Sequence, residues 1–175
     1  LDIDRADGRT ISEMPWYGDL DCRLPLEADF SDVLRVAGLL ENGRGFRGAR
    51  FAGFRLAVLS ERTFNTRVEK SGNKHATLFG EVVELLDEAF GRGVRRATVD
   101  RLGGRKNYGD KIAASFPFVP FEVLKETAKE SAYRIGFDRG DADLAFCVKG
   151  DDRFCEVATA SMAAKYTREV CMRLL

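Results

Sequence analysis

An α/β fold, a mixed sheet with a parallel centre flanked by helices, is predicted by three observations. Two segments, Val94–Val99 and the apolar run Leu144–Val148, read as strands, the second of them buried, and each is followed by a carboxylate, Asp100 and Asp151. A wide apolar stripe at helical spacing (Leu78, Val82, Val83, Leu85, Leu86, Phe90) predicts a helix over Ala76–Phe90, stopped by Gly91 and Gly93. A short helical segment from about Asn107 to Ser115 lies between the two strands, which permits a parallel crossover and brings Asp100 and Asp151 to one sheet edge.

The remaining elements follow in order. Leu1 and Ile3 alternate with Asp2 and Asp4, as in a strand, inside a charged entry segment. Residues 11–32 hold two proline-marked breaks, Pro15-Trp16-Tyr17-Gly18 and Leu24-Pro25-Leu26, and read as a loop-rich insertion that Trp16 anchors. Asp29–Leu40 is a predicted helix with Asp29 or Ser31 as its cap. Arg44–Gly48 is a basic, glycine-rich turn, and Phe51–Ser60 a strand with Phe54, Leu56 and Val58 on one face. Helical structure resumes at Thr63 or Asn65. Phe116–Val123 is apolar and predicts a strand despite Pro117 and Pro120; Ser131–Phe137 alternates and predicts another. Asp138–Asp143 is a turn into the Leu144 strand. From Phe154 to Leu174 a helix is expected to lay Ala160, Ala163 and Ala164 on the sheet. The organisation is one partial domain, with residues 1–49 as entry segment and residues 50–175 as core.

Composition bounds what this chain can do. Its 175 residues suffice for one domain with a substantial core. Lys plus Arg and Asp plus Glu number 28 each, which excludes an unselective polyanion binder but not a local basic groove. Cys22, Cys147, Cys155 and Cys171 have no C-x-x-C spacing and His75 is the sole histidine, so a zinc site is excluded and the thiols read as reduced and buried. No run reaches membrane-spanning length and no signal peptide is visible, which together predict a cytoplasmic protein. The chain starts at Leu1 rather than Met and ends on an apolar helix, so both ends read as cut.

Two carboxylates brought together repel and need a counter-charge. Without histidine or thiolate beside them, a hard cation with oxygen ligands, Mg²⁺ or Mn²⁺, suits Asp100 and Asp151 best. Such ions activate water and stabilise a leaving oxygen in phosphodiester hydrolysis. Asp152 reads instead as a helix cap. Around Asp100 stand Arg95, Arg96, Arg101, Arg105, Lys106 and Lys111; Arg105 and Lys106, beside Gly103-Gly104, are the better phosphate ligands, with a solvated charged loop as the competing reading. Ser161 and Lys165 share a helix face and are candidates to contact Asp151 or substrate, with packing as the competing reading for Ser161.

Lys149-Gly150-Asp151, Ala160-Ser161, Ala164-Lys165, Arg168-Glu169 and Met172 resemble the carboxy-terminal signature of type 2 ribonucleases H, a strand ending K-G/A-D followed by a helix A-S-I-x-A-K-x-x-R-D. Met162 replaces a β-branched residue and Glu169 the usual Asp. The resemblance is specific over Arg95–Met172, weaker over Arg50–Gly93 and absent before Arg50. It implies a ribonuclease H-like fold lacking its first strands. Asp100 stands in for the aspartate of the family's V-D-G motif, with Arg101 replacing the glycine, and Asp151 for its fourth acidic ligand. Asn73 falls where the family has an Asn near the nucleic-acid backbone. The family's Asp-Glu pair and G-R-G turn have no accepted counterpart, since Arg5 stands where the Glu belongs.

The resemblance implies a metal-dependent endonuclease that hydrolyses the RNA strand of RNA–DNA hybrids, carried here as an incomplete domain. Two of four acidic ligands predict weak Mg²⁺ binding and poor cleavage by residues 1–175 alone. The alternatives are a non-catalytic ribonuclease H-like module binding nucleic acid or protein, and a different two-metal phosphoesterase on the same scaffold.

Overall fold

The computed structural model describes residues 3–5, 29–41, 53 and 55–173. Trp16, Cys22, the Arg44–Gly48 turn, Phe51 and Phe54 lie outside them. The elements run β1 (Ile3–Arg5), α1 (Phe30–Glu41), β2 (Leu56–Val58), α2 (Glu61–Ser71), α3 (Lys74–Gly91), β3 (Arg96–Asp100), α4 (Gly109–Ser115), β4 (Phe121–Glu126), β5 (Glu130–Phe137), β6 (Gly140–Cys147) and α5 (Cys155–Arg173). Two compact units result, one spanning Ala57–Ser161, the other drawn from residues 1–56 and 162–175.

In the second of these, α1 begins as its sequence dictates. Asp29 accepts from the backbone N–H and the hydroxyl of Ser31, each at 2.8 Å, and these bonds hold its carboxyl below the usual range. The Asp29 cap and the helix it opens are as predicted.

The Ala57–Ser161 unit holds a four-stranded mixed sheet in the order β3-β6-β5-β4. β3 pairs with β6 in parallel, Arg96 opposite Asp143 through Asp100 opposite Cys147. β5 is antiparallel to both β6 and β4. The α/β class and the adjacent parallel pair match the expectation; the parallel centre does not. The pair lies at one edge of the described sheet, because β6 does not start at Leu144. It starts at Gly140, as the second arm of a hairpin in which Phe137 faces Gly140. Gly140 takes φ +109, which the tight turn requires and L side chains resist.

Alternation fixes which face is buried. Tyr133 and Ile135 of β5 and Ala142, Leu144 and Phe146 of β6 are almost fully buried and meet Phe79, Leu86 and Phe90 of α3 with Ile112 of α4. Each large side chain so buried contributes about 1.5–3 kcal/mol. Tyr108 stacks on Phe146 with centroids 3.7 Å apart and planes 5° from parallel. The helix pair α2–α3 is set by its caps: Ser60 accepts from the Thr63 N–H at 3.2 Å, so α2 begins two residues before Thr63, and Gly72 ends it at φ +65.

Two further expectations are corrected. No strand occupies Phe116–Pro120: Phe116 turns into the core at the end of α4, and Phe118 is fully exposed at φ +68 between the prolines. The strand there starts at Phe121 and runs on to Glu126, with a bulge between Val123 and Lys125. Nor does α5 bury its alanines: Ala160 and Ala164 are exposed and Ala163 half-buried, while Val157, one turn in, makes the buried contact.

Candidate functional site

β3 delivers Asp100 to the carboxyl end of the parallel pair, and the Arg101 N–H continues the ladder to the Cys147 carbonyl at 2.8 Å. β6 ends at the same level. Its chain is tied there by the Val148 N–H to the Lys129 carbonyl, 2.9 Å. It then reverses through Lys149, which takes the left-handed φ 50, ψ 50. That conformation is costly for a residue with a Cβ and turns the chain into the single 3-10 turn Gly150–Asp152.

Gly150 joins the two strand ends. Its N–H donates to Asp100 Oδ1 at 3.0 Å. A Cβ on Gly150 would lie 3.1 Å from Val157 Cγ1 and 3.5 Å from Asp100 Oδ1, a tight approach of strand end, turn and α5 that glycine leaves open. Asp100 is thereby oriented by the residue that precedes Asp151. Asp151 and Asp152 are exposed, and among the described residues neither side chain has a hydrogen bond or ion pair. Asp152, expected to cap α5, makes no such bond; its backbone N–H goes to the Lys149 carbonyl and α5 opens only at Cys155.

The loop after Asp100 is built on Tyr108. The buried phenol oxygen accepts from the Leu102 N–H at 3.1 Å, and burial pushes its pKa up. The Tyr108 N–H donates to the Tyr133 hydroxyl at 2.8 Å; that hydroxyl donates to Glu126, and burial with this carboxylate raises the Tyr133 pKa to about 12. Gly103 and Gly104 take φ +56 and +73, and a Cβ on Gly103 would run into the His75 imidazole. The loop thus folds against the start of α3, where Asn73 Oδ1 caps the helix by accepting from the His75 N–H at 2.8 Å. Asn73 therefore stands two residues before the His75 that meets the loop of Arg105 and Lys106. These two are exposed and, among the described residues, their side chains have no ion pair or hydrogen bond.

The rest of the basic cluster disperses. Arg95 donates to the Arg139 carbonyl at 2.7 Å at the amino end of the sheet, and with Arg96, Arg134, Asp141 and Asp143 it lines an open groove there. Their register at the start of β3, several residues before Asp100 and Cys147, separates these side chains from the carboxyl end. Arg101 turns to the β4–β5 turn, which sequence reasoning did not connect with Asp100: its guanidinium donates to the carbonyls of Ala128 (2.6 Å) and Thr127 (3.1 Å) and to Ser131 Oγ (3.1 Å). A strand-to-strand contact of this kind leaves no spacing signal in the sequence. Ser161 is half-buried where the unit ends, and no hydrogen bond joins it to Asp151 among the described residues; Lys165, exposed, belongs to the other unit.

Of the cysteines, Cys147 is buried and its thiol pKa raised by desolvation and the Glu130 charge, but Cys155 is exposed, against expectation. The exposed oxygens at Asp100 and Asp151 are donors of the kind a hard cation takes. Among the described residues no group of 3 or more His, Cys, Asp or Glu side chains is placed to hold a metal ion. No helix of the described residues is long and apolar enough to cross a membrane. No family model matches the chain, no curated protein matches it, and no solved structure matches it.

Proposed function

We propose that this chain carries a type 2 ribonuclease H-like site that hydrolyses the RNA strand of RNA–DNA hybrids in the cytoplasm. The observation that carries the reading is the junction of β3 and β6, adjacent and parallel, with Asp100 held by the Gly150 N–H immediately before Asp151. Carboxylates at the carboxyl ends of neighbouring parallel strands stand where open α/β sheets keep their ligands. Asp100 and Asp151 would hold Mg²⁺ or Mn²⁺, which when bound supplies water activation and charge stabilisation at the phosphodiester. Arg105 and Lys106 bind backbone phosphates, Arg105 through its guanidinium fork. Asn73 sits at the helix start that faces the same loop and approaches the nucleic-acid backbone. Ser161, on the helix that carries the A-S part of the resemblance, is assigned to substrate by that resemblance.

Binding and cleavage of a hybrid, duplex DNA and duplex RNA, each with Mg²⁺ and with Mn²⁺, test this. Expected are preference for the hybrid and cutting of its RNA strand by a chain that also carries an Asp-Glu strand, lost in Asp100→Asn with binding kept. A second reading, a binding module without catalysis, keeps the same loop and needs no metal; among the described residues no group of 3 or more His, Cys, Asp or Glu side chains is placed to hold one. Hybrid bound and never cut, with either ion and with the acidic set complete, selects it. Equal binding and equal cutting of all three substrates removes the hybrid-specific reading.

A further inference from the structure

The resemblance puts a glycine after the strand-ending aspartate, and this chain has Arg101. We infer that Arg101 is a positioning residue, which splints the Leu102–Lys106 loop to the β4–β5 turn so that Arg105 and Lys106 are held beside Asp100; this rests on the nucleic-acid reading of that loop.

The geometry is specific to a guanidinium. Its Nη1 donates to the Ala128 carbonyl at 2.6 Å and its Nη2 to both the Thr127 carbonyl and Ser131 Oγ at 3.1 Å. The acceptors are uncharged, so Arg101 is not half of an ion pair; the fork itself makes the contact. Ser131 is fully buried, and its hydroxyl donates onward to the Lys106 carbonyl. A continuous path therefore runs from the residue after Asp100, through Ser131, to the backbone of Lys106. The turn it grips is itself rigid: the Thr127 N–H donates to the Glu130 carbonyl at 2.8 Å, and Thr127 Oγ1 accepts from the N–H of Lys129 and of Glu130. The other side of the loop is fixed by Tyr108, which binds the Leu102 N–H. With both ends tied, Arg105 and Lys106 keep exposed side chains on a held backbone, and little ordering entropy remains to be lost on binding phosphate. A lysine at 101 reaches one acceptor at a time and cannot replace the fork.

Hydrogen exchange of the free full chain reads the splint directly. In Arg101→Ala the amides of Leu102 and Thr127 are expected to exchange about tenfold faster or more, as local opening becomes easier. Arg101→Lys should behave like Arg101→Ala, and Ser131→Ala, which spares the two carbonyl contacts, should loosen the Leu102–Lys106 side alone and serves as the milder variant where Arg101→Ala unfolds. Fluorescence anisotropy with a short RNA–DNA hybrid reads the consequence. Arg101→Ala should weaken binding about fivefold to tenfold, and should add nothing once Arg105 and Lys106 are both alanine, since coupled groups do not act additively. Unchanged exchange, full rescue by lysine, or a loss that adds to that of Arg105→Ala/Lys106→Ala overturns the positioning role. Wild-type chain that binds no hybrid overturns the nucleic-acid reading instead, and the exchange rates then still decide whether Arg101 holds the loop.

Discussion

The two ends of the β3–β6 pair are made from the same residue types and use them differently. At the amino end one ion pair closes within the protein, Arg134 Nε meeting Asp143 Oδ1 at 2.9 Å, and Arg95 is bound to the Arg139 carbonyl. At the carboxyl end Asp151, Arg105 and Lys106 project without ion partners among the described residues, while the backbone that carries them is tightly bound by Gly150, Ser131 and Tyr108. A charge paired inside the fold serves the fold. A charge held out on a fixed backbone, unpaired among the described residues, is available to a ligand on the reading proposed above.

This contrast can be broken in several ways. The largest expected effect is in Asp100→Asn: hybrid cleavage, assayed on a chain carrying the full acidic set, falls to background. The fold survives, because the amide oxygen still accepts from Gly150; a circular dichroism melt close to wild type checks that. Next is Tyr133→Phe, which leaves the buried Tyr108 N–H without its acceptor and should cost about 1–3 kcal/mol in denaturant unfolding. Its sign with pH is fixed. The folded pKa of Tyr133, about 12, is raised above the ordinary value of 10.0, so its contribution is complete below pH 10 and is lost as pH climbs towards 12. The wild-type chain should therefore lose stability over that alkaline window more steeply than Tyr133→Phe. Replacing Arg105 and Lys106 by alanine should weaken hybrid binding about tenfold and lower the salt slope of log K by about one for each phosphate no longer neutralised. Arg134→Ala, at the internally paired end, should leave hybrid affinity where it was; a reduction equal to that of the loop variant would erase the distinction between the ends. Smallest of all is Ala160→Leu, whose melting temperature should match wild type because the side chain faces solvent.

The end of β6 is legible in sequence because Leu144–Cys147 belongs to a short apolar run bounded by turn residues, and α3 because its stripe is wide and glycines close it. The start of β4 is not legible. Phe116, Phe118, Val119 and Phe121 look alike by hydropathy, and only the prolines' fixed φ decides that one ring enters the core, one faces water and the strand waits until Phe121. The beginning of β6 is hidden for the opposite reason: Asp141 and Asp143 are polar, yet they belong to a strand because alternation sends them to the face away from Ala142 and Leu144. The aspartates of the site are visible one at a time; the Arg101 contact with Thr127, Ala128 and Ser131 joins residues 26 to 30 positions apart and is visible only in three dimensions.

The bulge in β4 bears on how many copies of this molecule can share a solution. β4 is one of the two edge strands of the described sheet, and a regular edge strand offers the next molecule a ready row of hydrogen-bonding groups. Here that row is broken between Val123 and Lys125, and Glu122, Lys125 and Glu126 flank the exposed Val123 and Leu124. A second copy approaching in register would meet a twist and like charges before it met an apolar contact. Straightening the strand by deleting Leu124 would remove that protection, and the first sign would be turbidity on concentrating the protein, well before any change in its folding.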